Sequence, residues 1–352
     1  MTGKMKLYIR TDSNEVVATG HLMRCLSIAD AMAGRGIESV FITADEKPRA
    51  LLAERGYRQI VLGTVWDDMP GELTSLTRVL RDEDAKALLI DSYKAGSEYL
   101  EALRKIVRTA YIDDLPDPEN VRHIPCDILI NYSAYAREEC YREGYEDTKL
   151  LLGMKYVPLR AVFDKPLART DAGDRVRRTL VLSGGADPQN ALGRLAEVLP
   201  GEYPHVQFTF VSGLYNSRLE ALGKLVEKCE NAQLKVQLAD LEKYMLASDL
   251  TITAGGTTLY ELAATRSPAV SYSMADNQMR NVEAFDRLGM IPCGGDIRTD
   301  GITGILDTYA RLLRSADERA ALQQAMIRQM PHGSTGRLAD ALIREFEEII
   351  RS

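Results

Sequence analysis

A histidine placed to act on water occurs early in the chain of 352 residues. His21 follows an apolar strand and a polar loop, and it lies at or just before the first turn of a predicted helix. The positive end of a helix lowers the proton affinity of a nearby histidine and so favours the neutral form that a general base requires at pH 7. A helix-start histidine that only bonds backbone is the alternative, and position alone supports both interpretations.

A glycine turn suited to phosphate lies in the segment 249–278. A β-branched run, residues 249–253, is followed by Gly255 and Gly256, and then by a helical pattern that Thr257 and Thr258 open. The first turn of a helix has unpaired N–H groups and a positive dipole, and glycine lets the backbone approach a ligand closely. Glu261, one turn into the helix, is placed to accept hydrogen bonds from ribose hydroxyls. A nucleotide diphosphate fits this pattern, and a tight strand-to-helix connection is the alternative.

Polar residues follow the predicted strands of the first half of the chain. The carboxyl ends of parallel strands meet at one edge of the sheet, where open α/β domains bind ligands. We therefore expect at least two of these residues to line a cleft with His21, although a solvated turn would explain each of them singly. They are Asp91, Tyr93, Asp113, Asp114 and Asn131.

Strands and helices alternate twice along the chain, which predicts two parallel sheets with helices on both faces. The length of 352 residues also exceeds what one core usually supports. A charged, proline-bearing stretch separates the two halves, and a second glycine turn, Gly184-Gly185, follows the first strand of the second half. The predicted domains are residues 1–160 and 179–335, with a linker 161–178 and a final amphipathic helix 336–352 that needs a surface to pack on.

Composition limits the class of protein. The chain is 45% hydrophobic and 27% charged, with a net charge of -7, which argues against nucleic acid or an anionic membrane as partner. Its five cysteines are scattered, so neither a disulfide framework nor a zinc site is predicted. We expect a cytoplasmic protein without a signal peptide or membrane span, and without a cofactor or metal. No complete dinucleotide fingerprint or P-loop occurs, which disfavours NAD-linked and ATPase chemistry.

Several short blocks, taken in order along the chain, resemble one family. The resemblance is to the UDP-2,4-diacetamido-2,4,6-trideoxy-β-L-altropyranose hydrolases of pseudaminic acid biosynthesis and to related spore-coat polysaccharide proteins. The blocks are Arg10-Thr11-Asp12, residues 20–26, Ile112-Asp113-Asp114, Leu152-Gly153, residues 156–160, 183–187 and 254–261, and Asn277-Gln278.

The resemblance implies a GT-B-like fold, in which two Rossmann-like, doubly wound domains face each other across a cleft. It implies that the C-terminal domain binds the nucleotide and that the final helix packs back on the N-terminal domain. The implied reaction is hydrolysis of a UDP-sugar at the anomeric carbon, with inversion and without a metal. A glycosyltransferase that uses an acceptor hydroxyl and a non-catalytic nucleotide-sugar binding protein are the alternatives.

The resemblance also assigns roles to residues. His21 matches the histidine that handles the water, and Tyr93 and Asn277 match two further catalytic residues. The chain has Ala18 where the family usually has glycine, so the identity of the sugar, and hydrolysis itself, stay open at this stage, as does the oligomeric state. We expect the nucleotide sugar to be bound by Asp12, Gly20, Arg24, Asp91, Asp113, Gly185, Gly255, Gly256, Thr257, Thr258, Glu261 and Gln278.

Overall fold

The structure, a computed structural model, describes residues 5–14, 20–114, 124–136, 141, 144–167, 174–213 and 215–351. The chain divides into two compact units. Unit 1 consists of Met1–Asp164 and Gly333–Ser352, and unit 2 of Lys165–His332. Each unit is a parallel sheet with helices, which confirms the predicted α/β class.

Unit 1 contains a parallel sheet of seven strands. Its strands are β1 (Lys6–Thr11), β2 (Glu38–Thr43), β3 (Arg58–Val61), β4 (Ala87–Asp91), β5 (Arg108–Ile112), β6 (Ile128–Asn131) and β7 (Lys149–Leu152). Its helices are α1 (Gly20–Ala33), α2 (Arg49–Glu54), α3 (Met69–Asp82), α4 (Ser97–Arg104) and, at the end of the chain, α13 (Ser334–Arg351). The strand order β3-β2-β1-β4-β5-β6-β7 makes β1 and β4 neighbours. The direction of winding reverses between them, so this pair forms the topological switch point of the sheet.

Unit 2 contains a parallel sheet of six strands. Its strands are β8 (Arg178–Leu182), β9 (Gln207–Ser212), β10 (Ala232–Val236), β11 (Leu250–Ala254), β12 (Ala269–Ser273) and β13 (Cys293–Asp296). Its helices are α5 (Ala191–Ala196), α6 (Leu199–Glu202), α7 (Leu219–Val226), α8 (Leu241–Ala247), α9 (Thr258–Thr265), α10 (Asp276–Arg287), α11 (Thr303–Arg314) and α12 (Ala316–Gln329). The order β10-β9-β8-β11-β12-β13 places the switch point between β8 and β11.

Strand β13 lies in a segment whose sequence indicates only a glycine-rich connection. A side-chain carbon added to Gly294 would lie 2.8 Å from the Cα of Ile305 in α11. One added to Gly304, also in α11, would lie 2.5 Å from the carbonyl oxygen of Gly294. The glycines therefore allow a helix backbone to pack directly on a strand backbone, rather than marking a loop.

Helix α13 packs on unit 1, against α1 and the segment that follows β7. Its apolar side chains Leu338, Leu342 and Phe346 are fully buried. The carboxylate of Asp164 accepts hydrogen bonds from the N–H groups of Thr335, at 2.8 Å, and Gly336, at 3.1 Å. Asp164 thus caps the first turn of α13 from a distant part of the chain.

Each unit has a hydrophobic core of its own. In unit 1 the core includes Tyr8, Ile42 and Leu88, and in unit 2 it includes Phe210 and Ile252, all of them 2% exposed or less. Strands buried on both faces read as continuous apolar runs, which is how these strands appear in the sequence. Among the helices of the described residues, none has both the length and the apolar character that crossing a bilayer requires.

Candidate active site

His21 and Asp91 meet at the switch point of unit 1. His21 is the second residue of α1, which follows β1, and Asp91 is the last residue of β4. The Nδ1 atom of His21 lies 2.7 Å from Oδ1 of Asp91. Both side chains are buried, with His21 7% exposed and Asp91 1% exposed. The histidine and carboxylate predicted to share this edge are therefore in direct contact.

The contact with Asp91 fixes which nitrogen of His21 carries the proton. A carboxylate can only accept, so the short contact assigns the proton to Nδ1. Arg24 Nη2 also lies 3.0 Å from Nδ1, but it is 2.5 Å from Oδ1 of Asp91, where it donates. Among the described residues, no hydrogen bond to Nε2 is formed. The lone pair of Nε2 is therefore available to accept a proton from a water molecule.

Arg24 holds the cluster together. Its Nε donates to Oδ2 of Asp91 at 2.6 Å, and its Nη1 donates to the carboxylate of Asp114 and, at 2.6 Å, to the hydroxyl of Tyr132. Burial works against ionisation of Asp91, but the charge of Arg24 and the hydrogen bonds from Arg24 and His21 outweigh it and hold the pKa of this carboxyl below its usual range. Asp91 is therefore ionised at neutral pH and fully occupied by its partners.

Tyr93 packs against the ring of His21. The two rings meet edge to face, with 4.4 Å between their centroids. The Tyr93 hydroxyl donates to Oδ2 of Asp114 at 3.3 Å, while 38% of the residue stays exposed. Burial and the nearby Asp114 charge raise the pKa of Tyr93 above its usual range. Tyr93 is thus a neutral phenol whose ring packs against that of His21.

Two other predicted residues of unit 1 belong to separate networks. Asp12 accepts from Arg10 at 2.5 Å and from the N–H of Ala44 at 2.9 Å, and Arg10 also donates to Glu72 at 2.8 Å. Asp113 accepts from the hydroxyl of Tyr141 at 3.1 Å. Both aspartates are 7% exposed. Both aspartates are therefore held by protein groups. Gly20, by contrast, is exposed at the start of α1.

In unit 2 the two predicted glycine turns flank the switch point. Gly184 and Gly185 follow β8, and Gly255 and Gly256 follow β11. Gly184 has a φ of 77°, a conformation that glycine adopts without strain.

The backbone donors of the second glycine turn are divided between the fold and the open side. The N–H of Gly255 donates to the carbonyl of Tyr272, and the N–H of Gly256 to that of Ala254, both at 2.9 Å. By contrast, the N–H groups of Thr257 and Thr258 form no hydrogen bond within the described part of the chain. These two amides, at the start of α9, are the donors left for an anion.

Helix α10 holds the second glycine turn in place. The side-chain amide of Asn281 donates to the carbonyls of Gly255, at 3.1 Å, and Gly256, at 3.5 Å, and it accepts from the hydroxyl of Tyr260 at 2.8 Å. Gln278 accepts from the N–H of Met274 at 3.1 Å and so braces the start of α10. Glu261 is half-buried on α9. The side chain of Asn277 and residue Ala18 lie outside the described part of the chain.

The sequence analysis missed several residues that build these sites. Tyr132 follows the strand-end residue Asn131, so the strand-end rule would have found it. Asn281 lies one helical turn beyond Asn277, so helical periodicity would have found it. Glu72, which binds Arg10 of the first matched block, is distant from it in sequence and carries no local signal. No group of three metal-binding side chains occurs among the residues that the structure describes.

Curated proteins similar in sequence were found, although no protein-family model matches the chain. The chain is 24% identical over 261 residues to the UDP-2,4-diacetamido-2,4,6-trideoxy-β-L-altropyranose hydrolase of Campylobacter jejuni, covering 73% of this chain and 87% of that protein. It is 24% identical over 289 residues to the spore coat polysaccharide biosynthesis protein SpsG of Bacillus subtilis, covering 80% and 81%. It is 22% identical over 267 residues to the uncharacterized protein MJ1062 of Methanocaldococcus jannaschii, where the match spans 73% of this chain but only 53% of the archaeal protein.

Solved structures share the fold along almost the whole chain. MurG of Acinetobacter baumannii has a TM-score of 0.68 at 13% identity, covering 96% of this chain and 99% of that one. The glycotransferase of kitacinnamycin has a TM-score of 0.69 at 16% identity, covering 97% and 99%. The S. aureus MnaA structure with UDP has a TM-score of 0.69 at 12% identity, covering 99% and 97%. The fold is therefore GT-B-like, as the resemblance implied. In sequence, over about three quarters of its length, the chain is related to the altropyranose hydrolase and the spore-coat polysaccharide protein, so that the resemblance carried by its motifs is confirmed.

Proposed function

We propose that the protein hydrolyses a UDP-linked diacetamido-trideoxy sugar at its anomeric carbon and releases UDP and the free sugar with inversion. Nucleotide-sugar processing in general is supported by the sequence relatives and by the fold. Hydrolysis in particular is supported by the named relative from C. jejuni. The observation that carries the proposal is His21, whose Nδ1 is bound to Asp91 while Nε2 forms no hydrogen bond with the residues that the structure describes.

Unit 1 supplies the water chemistry. Displacement of a diphosphate with inversion needs a water on the opposite face of the sugar and a base that accepts its proton. We assign the base to Nε2 of His21 and the positioning of water or sugar to the phenol of Tyr93. Asp91 was expected to bind substrate, but both of its oxygens bind protein groups. We therefore reassign it to positioning His21, in the way that a buried carboxylate orients the histidine of a catalytic triad.

Unit 2 binds UDP. The N–H groups of Thr257 and Thr258 hold the diphosphate and stabilise the charge that develops on it as the bond to the sugar breaks. Gly256 borders open space, since a side-chain carbon there would meet nothing within 4 Å. Glycine at this position therefore suits the close approach of a ligand. Glu261 accepts from the ribose hydroxyls, Gly185 borders the phosphates, and Asn277 assists at the sugar.

A glycosyltransferase is the second candidate. Several structures that share the fold are named as glycosyltransferases, the spinosyn rhamnosyltransferase SpnG among them. The same histidine would then take the proton of an acceptor hydroxyl instead of a water. The two candidates differ in whether UDP is released when no acceptor is present.

The test is UDP release from UDP-2,4-diacetamido-2,4,6-trideoxy-β-L-altropyranose in plain buffer containing EDTA. Wild type is compared with His21→Ala, and with His205→Ala as a matched control, because His205 is an exposed histidine of unit 2. Circular dichroism and thermal melting verify that each variant is folded. We expect release by wild type and His205→Ala and a loss of about 10²–10⁴-fold in His21→Ala.

The outcomes separate the candidates. Undiminished release by folded His21→Ala would remove the role assigned to this histidine. Release that begins only when an acceptor is supplied would favour the glycosyltransferase. UDP binding without turnover of any sugar nucleotide would leave a binding protein. Isotopically labelled water must appear in the sugar and not in UDP if the anomeric carbon is attacked.

A further inference from the structure

Trp66 lies on the same edge of unit 1 as His21 but outside the network around it. It is the single tryptophan of the chain, and it is half-buried in the loop between β3 and α3. The ammonium group of Lys94 lies 5.9 Å from the centre of a Trp66 ring. Lys94 directly follows Tyr93 in the loop after β4. This contact therefore brings the β3 loop to the loop that carries Tyr93.

The loop that carries Trp66 is fixed at both ends. The N–H groups of Gly63 and Thr64 donate to the carbonyl of Ala44 at 3.0 and 3.1 Å. At the other end, the N–H of Asp68 donates to the carbonyl of Val65, and the Asp68 carboxylate caps α3 through the N–H of Gly71 at 3.0 Å. Because the loop is already ordered, binding of a ligand to Trp66 does not incur the conformational-entropy cost of ordering the loop.

Apolar side chains are exposed on both sides of the Trp66–Lys94 contact. Val65, next to Trp66, is 61% exposed, and Tyr93, next to Lys94, is 38% exposed. A surface of indole, valine and phenol with one ammonium group has the composition of a small-molecule subsite, mostly apolar with few polar groups. Its Tyr93 end touches His21, so the surface is continuous with the candidate active site.

We propose that Trp66, Val65 and Lys94 form a subsite that selects the sugar moiety by its acetamido and deoxy substituents. This inference rests on the proposed function. The sugar named there carries two acetyl methyl groups and a 6-methyl group, and each methyl buried against indole and valine gains free energy that a hydroxyl does not. The Lys94 ammonium donates to an acetamido carbonyl oxygen. The face of the Trp66 ring that lies near Lys94 packs against the apolar side of the sugar.

The emission of Trp66 tests the subsite directly, since the full chain has no other tryptophan. The His21→Ala variant is titrated with UDP, with UDP-N-acetylglucosamine and with the diacetamido-trideoxy nucleotide sugar, and calorimetry records the binding of each. We expect the diacetamido sugar to shift the emission saturably and UDP to leave it unchanged. UDP-N-acetylglucosamine, with fewer apolar substituents, should bind more weakly than the diacetamido sugar.

Variants measure how much the subsite contributes. In the same background, Trp66→Ala should raise the Kd of the diacetamido sugar about tenfold, the equivalent of about 1.4 kcal/mol, and leave the Kd of UDP unchanged. Trp66→Phe should restore most of the affinity. Lys86→Ala serves as the matched control for Lys94→Ala, because Lys86 is an exposed lysine that pairs with the surface residue Asp84.

The results distinguish a failure of the subsite from a failure of the hydrolase. Unchanged emission at saturation with the diacetamido sugar, or equal weakening of UDP and sugar nucleotide by Trp66→Ala, would overturn the subsite even if wild type turns over. A sugar-specific response of Trp66 without turnover by wild type would uphold the subsite and reject hydrolysis. No binding of the diacetamido sugar at all would overturn both.

Discussion

Asp91 decides the protonation of His21 because its carboxylate can only accept hydrogen bonds. Oδ1 accepts hydrogen bonds from His21 Nδ1 and Arg24 Nη2. Oδ2 accepts them from Arg24 Nε and, at 3.4 Å, from the thiol of Cys25. A single aspartate thus orients His21 and neutralises a buried guanidinium. Its removal should affect both catalysis and stability.

Substitution of Asp91 by Asn should lower kcat by about 10²–10⁴-fold. An amide presents an N–H group that can donate to Nδ1, so the proton of His21 moves to Nε2, and the base is lost. The Kd of UDP should stay unchanged, because the groups assigned to UDP belong to unit 2. Steady-state UDP release and calorimetry measure the two effects. A kcat within about a factor of two of wild type would contradict the positioning role of Asp91.

Asp91 should also make stability fall in acid. Its pKa is held below the ordinary value, so the folded state binds this proton less readily than the unfolded state does. Its contribution is therefore fully present above the ordinary aspartate pKa of about 3.9 and is lost as the pH falls below that value. Urea unfolding of wild type and Asp91→Asn between about pH 3 and 7 measures this. The stability difference between the two should shrink below about pH 4, and a constant difference would contradict the assignment.

At the scale of elements, two adjacent glycines meet different requirements. Helix α10 packs so closely on the turn after β11 that a side-chain carbon on Gly255 would lie 2.4 Å from Cγ1 of Val282. The neighbouring Gly256 borders open space. The fold therefore requires glycine at position 255, whereas at 256 the requirement comes from the proposed ligand.

The two alanine substitutions should consequently affect different properties, stability at position 255 and UDP binding at position 256. Gly255→Ala should reduce stability by about 1–3 kcal/mol through overpacking, and the additional change Val282→Ala should restore part of it. Gly256→Ala should leave the melting temperature nearly unchanged and weaken UDP binding, because the methyl group occupies the space assigned to the diphosphate. Thermal melting and UDP calorimetry on both variants check this. If Gly256→Ala binds UDP as tightly as wild type, the assignment of the diphosphate to this turn is wrong.

The cap on α13 gives a second test at this scale. Asp164→Ala removes the acceptor of two N–H groups at the start of α13, so the free energy of unfolding should fall by about 0.5–2 kcal/mol. Asp340→Ala is the matched control, because Asp340 pairs with Arg35 at an exposed site of the same helix. An exposed pair contributes about 0–1 kcal/mol, so the control should be affected less. Equal losses would argue against the capping role.

At the scale of the molecule, the two units differ in how the chain builds them. Unit 2 is one continuous segment with its own sheet and core, whereas unit 1 needs α13 from the far end of the chain. The GT-B-like fold therefore contains one self-contained unit and one that closes only when the last residues are present.

The segment 165–332 should consequently fold alone and bind UDP. Every residue assigned to UDP lies within it, so its Kd for UDP should stay within about tenfold of the full chain. UDP at about 100 times its Kd should add about 2.7 kcal/mol to the stability of the fragment. Circular dichroism, thermal melting and calorimetry on the fragment provide the measurement. A folded fragment that does not bind UDP would contradict the assignment of the nucleotide site to unit 2.

Local sequence patterns predict the α/β class and the parallel sheets, because buried strands appear as apolar runs and helices as a period of 3.6 residues. They also predict that the polar strand-end residues and both glycine turns lie at the carboxyl edges of the two sheets, because all strands of a parallel sheet end on the same side. These features depend on local patterns alone, and a resemblance spread over several motifs adds the family to them.

Which of these residues contact one another depends on the order of the strands in the folded chain. Asp91 and Tyr93 reach His21 because β4 lies beside β1, whereas Asn131 ends β6, two strands further out, and donates to Tyr141 instead. Strand order and close backbone packing, as at Gly294 and Gly255, arise from contacts between residues far apart in sequence. Local propensity does not encode such contacts, which is why β13 was missed and why the contacts of Asp91 and Trp66 are seen only in the folded chain.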